Sequence, residues 1–255
     1  MLAAVVLLSL VSLSCAAVHS LKYFYTSTSG ISDFPEFIGV GQVDNIEISY
    51  YDSTSKEAVP RQKWMTLDHN YWWTETQVAM GYERAFKIDM NILKDRLNQT
   101  HGVHVLQKMY GCWWDDESGA IGGSEQFGYD GEDFMVLEMH NMKWIASVPQ
   151  AHFTTNKWNR MEDTLLYRKD YFHNICVNWL NKYLHYGDST LRRTVRPSVS
   201  LVQKRPYVVR HATGFYPEQV VMTWRTDGEE IEDDVDVDET LPNEDGTFQK
   251  KTELK

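Results

Sequence analysis

Two cysteines constrain this chain more than any other feature: Cys112, in the strand-like run VHVLQKMYGCWW, and Cys176, in the helical run YFHNICVNWLNKY. The third, Cys15, falls in the opening MLAAVVLLSLVSLSCAA, an uncharged apolar stretch with a small-residue cleavage pattern that reads as a secretory leader over residues 1–17. Export takes the mature chain through an oxidising compartment, which favours a single intrachain bridge over the alternative of two buried free thiols. Closing a loop of that size stabilises a fold by about 4 kcal/mol. A bridge between these two runs would tie a sheet to a helix.

The helical run extends from Thr154 to Tyr183. Tyr171, Ile175, Trp179 and Tyr183 step by four, with Phe172, Cys176 and Leu180 alongside, while Arg168, Lys169, Asp170 and Lys182 stay polar. The spacing predicts one long amphipathic helix, or two short ones with a break. Where an ordinary core helix buries aliphatic residues, this stretch spends three tyrosines and two tryptophans. Such side chains carry a polar tip on a large apolar body and suit a surface that binds something.

Ahead of it, LKYFYTSTSG and FIGVGQVDNIEISYYDS read as strands punctuated at Gly30 and at Val43-Asp44-Asn45, as in an antiparallel meander. A helix follows over about Asp68 to Leu97, with Phe86, Met90, Leu93 and Leu97 on its packing face and Asp89, Ile92, Leu93 and Arg96 in an adjoining stripe. The sequon Asn98-Gln99-Thr100 ends that helix and marks Asn98 as a surface glycosylation site. Strand signals resume after Gly102 and lead into the second helical run, so strands followed by a helix occur twice. The fold class is α+β: about eight antiparallel strands form one floor, and two long helices lie across it as the walls of a groove.

The net charge of −11 argues against nucleic acid as a partner and disfavours anionic membrane surfaces. After the leader no stretch reaches the ~20 apolar residues that spanning requires. His101 and His104 stand three apart without a downstream ligand pattern, and HExxH, GxSxG and Cys-His signatures are missing, so no enzyme, metal or cofactor is expected. Beyond Thr194 the register changes to short alternating runs carrying Phe215-Tyr216-Pro217 and then Trp224, the opening strands of an immunoglobulin-type sandwich. Such a sandwich needs about seven strands and about 100 residues. Only 61 residues follow Thr194, so it is not expected to close.

LKYFYTSTSG, NYWWTETQ, QKMYGCWW, GYDGEDF, TTNKW, CVNWLNKYL, TGFYP and GTFQKK occur in an order and spacing that resemble a major histocompatibility complex class I heavy chain of non-mammalian type, over the whole length. The resemblance implies an alpha-1 domain over 18–101 and an alpha-2 domain over 102–194, together one peptide-binding platform. A partial alpha-3 immunoglobulin-like C1 domain is implied over 195–255, with the remaining strands, stalk and membrane anchor expected after Lys255; a truncated soluble product is the alternative. It further implies passage through the secretory pathway to the cell surface, pairing with beta-2-microglobulin, and display of short peptides with free termini to T-cell receptors and a co-receptor.

A groove that accepts many peptides has to hold what all peptides share, their termini and backbone. The resemblance assigns Tyr23, Tyr71, Tyr171 and Tyr183 to the peptide amino terminus, where hydroxyls donate and accept. For any one of them the alternative is a core tyrosine with a satisfied hydroxyl. It assigns Arg96, Thr154, Lys157 and Trp158 to the peptide carboxylate. Arg96 stands where most mammalian classical chains have tyrosine, and a guanidinium offers a carboxylate a charged bidentate fork. Tyr25, Asp89 and Tyr110 match floor and wall positions that shape side-chain pockets.

Two departures bear on the last domain. The family's cysteine five residues before the FYP phenylalanine is Arg210 here, and its partner would lie past Lys255. A buried arginine without an anion is costly, so an unstable alpha-3 or a sequence difference at this position is expected. The acidic run from Glu229 to Glu239 overlaps the family's co-receptor loop through Asp233, Asp234 and Asp236. A plain solvated loop and a calcium site are the other readings, and the run lacks the glycine and terminal ligand of an EF-hand. The alternative function is that of a nonclassical member binding lipid, a metabolite or only a protein; such members usually lose the terminus-binding tyrosines retained here.

Overall fold

Period-two alternation turns into strands wherever it was expected in the first two thirds of the chain. The computed structural model describes residues 18–204, 206–226, 228–231 and 233–255; the leader expected over residues 1–17 lies outside them. It divides into two units, one closing at Gly187 and the other beginning at Asp188. In the first, β1 (Val18–Ser29), β2 (Phe37–Val43), β3 (Ile46–Asp52), β4 (Val59–Pro60), β5 (His104–Asp115), β6 (Ile121–Tyr129), β7 (Glu132–Glu138) and β8 (Lys143–Ala146) form one antiparallel sheet in the order β4-β3-β2-β1-β5-β6-β7-β8. The two halves join through β1 and β5, whose register runs from Val18↔Asp115 to Ser29↔His104. Two hairpins turn on two residues with positive φ, Asp44 and Asn45 between β2 and β3, and Asp130 and Gly131 between β6 and β7. That geometry matches the right-handed twist of the flanking strands.

The first wall is α1 (His69–Arg96), within one residue of expectation at each end. Asp68 caps it by accepting a hydrogen bond from the Tyr71 amide at 2.9 Å, and Lys94 and Arg96 sit in the last turn, where cations complement the helix dipole. Ala79, Phe86, Met90 and Leu93 are buried against the floor.

The second wall is broken: α2 (His152–Trp158), α3 (Glu162–Asp170), a π-helical turn over Tyr171–Ile175, and α4 (Cys176–Tyr186). The first break is pinned by Asn159, whose side-chain amide donates to the Trp144 carbonyl at 3.0 Å and whose oxygen accepts the Trp144 amide at 2.8 Å. This side chain bonds the free edge of the sheet at β8 instead of pointing to solvent. The Cys112–Cys176 bridge joins β5 to α4 across a sequence separation of 64. Opposite Cys112, Gly123 is needed because a Cβ there would come within 2.7 Å of the Phe172 ring. Glycine lets the wall rest directly on the floor.

The second unit contains α5 (Asp188–Leu191), β9 (Ser198–Lys204), β10 (Tyr207–Phe215), β11 (Trp224–Thr226), β12 (Glu229–Ile231), β13 (Val235–Val237), β14 (Leu241–Pro242) and β15 (Phe248–Leu254). Its main sheet runs β13-β15-β10-β9 with β14 on β15, and β11 pairs β12 separately. The acidic run is therefore not one open loop. Asp236 lies in β13 and pairs with Lys255 at 3.1 Å, while Asp233 and Asp234 are exposed in the turn before it.

Arg210 is 4% exposed on β10, yet the unit accommodates it without a carboxylate among the described residues. Its guanidinium lies 4.2 Å from the centroid of Trp224, and one terminal nitrogen donates to the Thr223 carbonyl at 2.7 Å. The other terminal nitrogen has no partner among the described residues, and burial lowers the pKa. Replacing even a buried ion pair by apolar side chains of similar volume is often neutral or stabilising by about 1–4 kcal/mol, and Arg210 has no anion to lose among the described residues. Arg210→Met is accordingly expected to leave the denaturation midpoint of this unit unchanged or raise it, and a lower midpoint would show that the indole contact outweighs the desolvation.

Candidate functional site

The groove between α1 and the broken wall is bridged by hydrogen bonds near both of its ends. At one end, the Tyr71 hydroxyl from the first turn of α1 meets the Tyr183 hydroxyl from α4 at 2.7 Å. Trp179 supports both rings, at 5.8 Å from Tyr71 and stacked at 5.5 Å on Tyr183. Beneath them, Tyr23 on β1 stacks on Tyr110 on β5 at 5.3 Å, and Tyr110 faces Tyr171 at 5.9 Å. Glycines make room for this row: Gly41 lies opposite Tyr23 in the register, and a Cβ there would come to 3.0 Å from the ring. The π-helical turn starts at Tyr171, and such turns widen a helix locally, commonly at functional sites.

All four tyrosines assigned to the amino-terminal end thus come together. Burial holds the hydroxyls of Tyr23, Tyr71, Tyr171 and Tyr183 well above the usual phenol range, so they act as neutral donors and acceptors. A fifth group joins them that the sequence reading missed. Glu75 on α1 is close enough to raise the pKa of Tyr23, Tyr71 and Tyr183 by its charge, and burial raises its own. Its position one helical turn after Tyr71 was the available signal.

At the other end, the Arg96 guanidinium donates to the Thr154 hydroxyl at 3.0 Å, spanning the two walls, and lies 4.3 Å from the centroid of Phe153. Arg96, Thr154, Lys157 and Trp158 line one pocket together with Asp89 and Leu106, enclosing about 550 Å³ of empty space that is partly open to solvent. Burial raises the Asp89 pKa, against the opposing pull of Arg96, Lys108 and Lys157. The pocket combines two cations and a hydroxyl with the apolar walls of Phe127 and Trp158, which can hold an anionic group at its mouth and an apolar side chain within.

Between the ends, Tyr25 and Tyr110 share a hydrogen bond at 3.0 Å in the floor. Beside them lies a charged cluster that the sequence reading passed over. Lys108 Nζ pairs with Glu125 Oε1 at 2.7 Å, and Arg168 Nε with Glu125 Oε2 at 3.0 Å. Asn98 is exposed just after α1 with φ near 56°, accessible to modification. Among the described residues no helix is long and apolar enough to cross a membrane.

A family model for class I histocompatibility antigen, domains alpha 1 and 2, matches residues 17–191, and one for the immunoglobulin C1-set domain matches residues 194–255. Neither describes an enzyme. The chain is similar to major histocompatibility complex class I-related protein 1 of Mus musculus, 36% identical over 94% of this chain and 72% of that protein. It is likewise similar to two H-2 class I histocompatibility antigens of Mus musculus: the K-K alpha chain, 36% identical over 92% of this chain and 66% of that one, and the D-K alpha chain, 37% identical over 92% and 67%. With its eight-stranded platform, helical walls and C1-set unit, the chain belongs to the major histocompatibility complex class I family.

Proposed function

We propose that the groove holds a short peptide by its two termini and presents it at the surface of the platform. The observation that carries this reading is the chemistry of the two wall-to-wall contacts: neutral hydroxyls with the half-buried Glu75 carboxyl nearby at one end, and Arg96, Lys157 and Thr154 at the other. An ammonium suits the first and a carboxylate the second. The length agrees: Tyr71 is the third residue of the 28-residue α1 and Arg96 its last, so the two lie about 38 Å apart along the helix, which suits about ten or eleven residues of extended chain. Identity to relatives does not choose between peptide and another ligand, since it is 36% to the class I-related protein and 36% to the K-K chain. The retained tyrosines favour peptide.

A light chain of the beta-2-microglobulin type is proposed as partner, because both walls lie on one face of the sheet. On the opposite face Phe24 pairs in register with Val40 and Met109, none of them fully buried, and Trp113 is 39% exposed. Such a face gains from being covered. Display to T-cell receptors and contact of a co-receptor with Asp233 and Asp234 in the turn and Asp236 on β13 belong to the same proposal.

The test is to refold the chain with beta-2-microglobulin, with and without a random peptide pool, then acid-elute the complex and analyse the eluate by mass spectrometry. Short peptides with free termini are expected in the eluate, and the complex should depend on the pool. A complex that forms equally well without peptide, or that yields only lipid, overturns the reading.

A further inference from the structure

The cluster in the middle of the floor carries charge that the two terminus sites do not use. Lys108 on β5 and Glu125 on β6 have side chains only 7% and 3% exposed, and Arg168 reaches them from α3 with 20% of its side chain exposed. Each oxygen of Glu125 already has a cation, so this carboxylate has little left to offer a ligand. The cations are not saturated. Lys108 has three N–H donors and gives one to Glu125; its ammonium otherwise faces the rings of Tyr110 at 4.4 Å, Tyr82 at 5.3 Å and Phe127 at 5.4 Å. Arg168 has five donors, of which Nε binds Glu125 and one terminal nitrogen makes a long 3.5 Å contact to the Thr164 carbonyl. Two cations share one directly paired anion in a low-dielectric floor; Asp89 acts on Lys108 through space and makes no ion pair with it among the described residues.

We infer that this groove selects peptides carrying an aspartate or glutamate at an interior position, its carboxylate seated on Lys108 and Arg168. The inference rests on the peptide reading above and adds the preference in its middle. The register sets the position: Tyr110, two residues on from Lys108, stacks on Tyr23 at the amino-terminal end, while Leu106, two residues back, lines the carboxylate pocket. Lys108 therefore lies between the two ends. An added carboxylate would give the cluster two anions for two cations, each in charge-assisted hydrogen bonds. A basic side chain would meet two cations and a carboxylate whose oxygens are taken.

The experiment uses the full chain with beta-2-microglobulin and peptide pools of one length, matched except at a single interior position that holds Asp, Asn or Lys, scanned position by position for complex half-life and competition affinity. At one interior position the Asp pool should bind about tenfold or more tighter than the Asn pool, the return on a hydrogen bond to charge, with the Lys pool weakest. In Arg168→Gln the ratio of Asp to Asn binding should collapse toward unity, and Arg168→Lys should restore part of it. Equal binding of the three pools at every position, or a preference for Lys, overturns the inference while leaving the peptide reading intact. Failure of every pool to bind overturns the peptide reading and the inference with it. The unmodified chain alone decides this even if the variants do not fold.

Discussion

Glu125→Ala is expected to destabilise the platform by about 3–5 kcal/mol, as an ion pair broken from one side in a buried setting does. The side chain is 3% exposed and is the common anion of Lys108 and Arg168, so its loss leaves two cations without their partner beneath the groove. Aromatic faces around Lys108 offset only part of that cost. Removing all three charges together, with Lys108→Met, Glu125→Leu and Arg168→Met, should cost far less, because no charge is then stranded. Denaturant unfolding of the complexes with one fixed peptide measures both. A loss below about 1 kcal/mol for Glu125→Ala would mean that the cluster behaves as an exposed pair.

Tyr171→Phe combined with Arg96→Ala should lower peptide affinity by about 100-fold or more. On the proposed reading each change removes hydrogen bonds to a charged peptide terminus, worth about 1.5–3 kcal/mol apiece, and the two sites lie at opposite ends of the groove, so the effects should add. A control separates clamp from scaffold. Amidating the peptide's carboxyl terminus should weaken binding to the unmodified chain, and Arg96→Ala should then weaken it little further. If Arg96→Ala costs as much with the amidated peptide as with the free acid, Arg96 supports the Thr154 wall and does not bind the carboxylate. The 3.0 Å bond between Arg96 and Thr154 is what makes that alternative concrete.

Much of the architecture was legible because it is local. Alternation marked the strands, four-residue stepping marked the walls, and Asp68 and Leu97 bounded α1 to within a residue. Counting cysteines led to Cys112–Cys176. The breaks in the second wall were less legible: their cause at Asn159 is a bond to Trp144, a strand edge 15 residues away, which no helical periodicity registers. Arg210 was read as a liability because its charge is visible in the sequence, whereas the Trp224 ring that receives it comes from another strand.

The charged cluster shows where the division falls. Lys108 shares one face of β5 with Tyr110 and Cys112, and Glu125 shares one face of β6 with Phe127 and Tyr129, so period two alone turned both toward the groove. What the sequence by itself determined was therefore each element and the face it presents, since both follow from backbone geometry over a few residues. Only the tertiary structure decided which faces meet: the register of β5 on β6 brought Lys108 to Glu125, and the seating of α3 on that sheet brought Arg168 to both. Pairings of that kind are set by the packing of segments far apart in the chain, and a one-residue slip in register would have turned every one of them to the other side of the sheet.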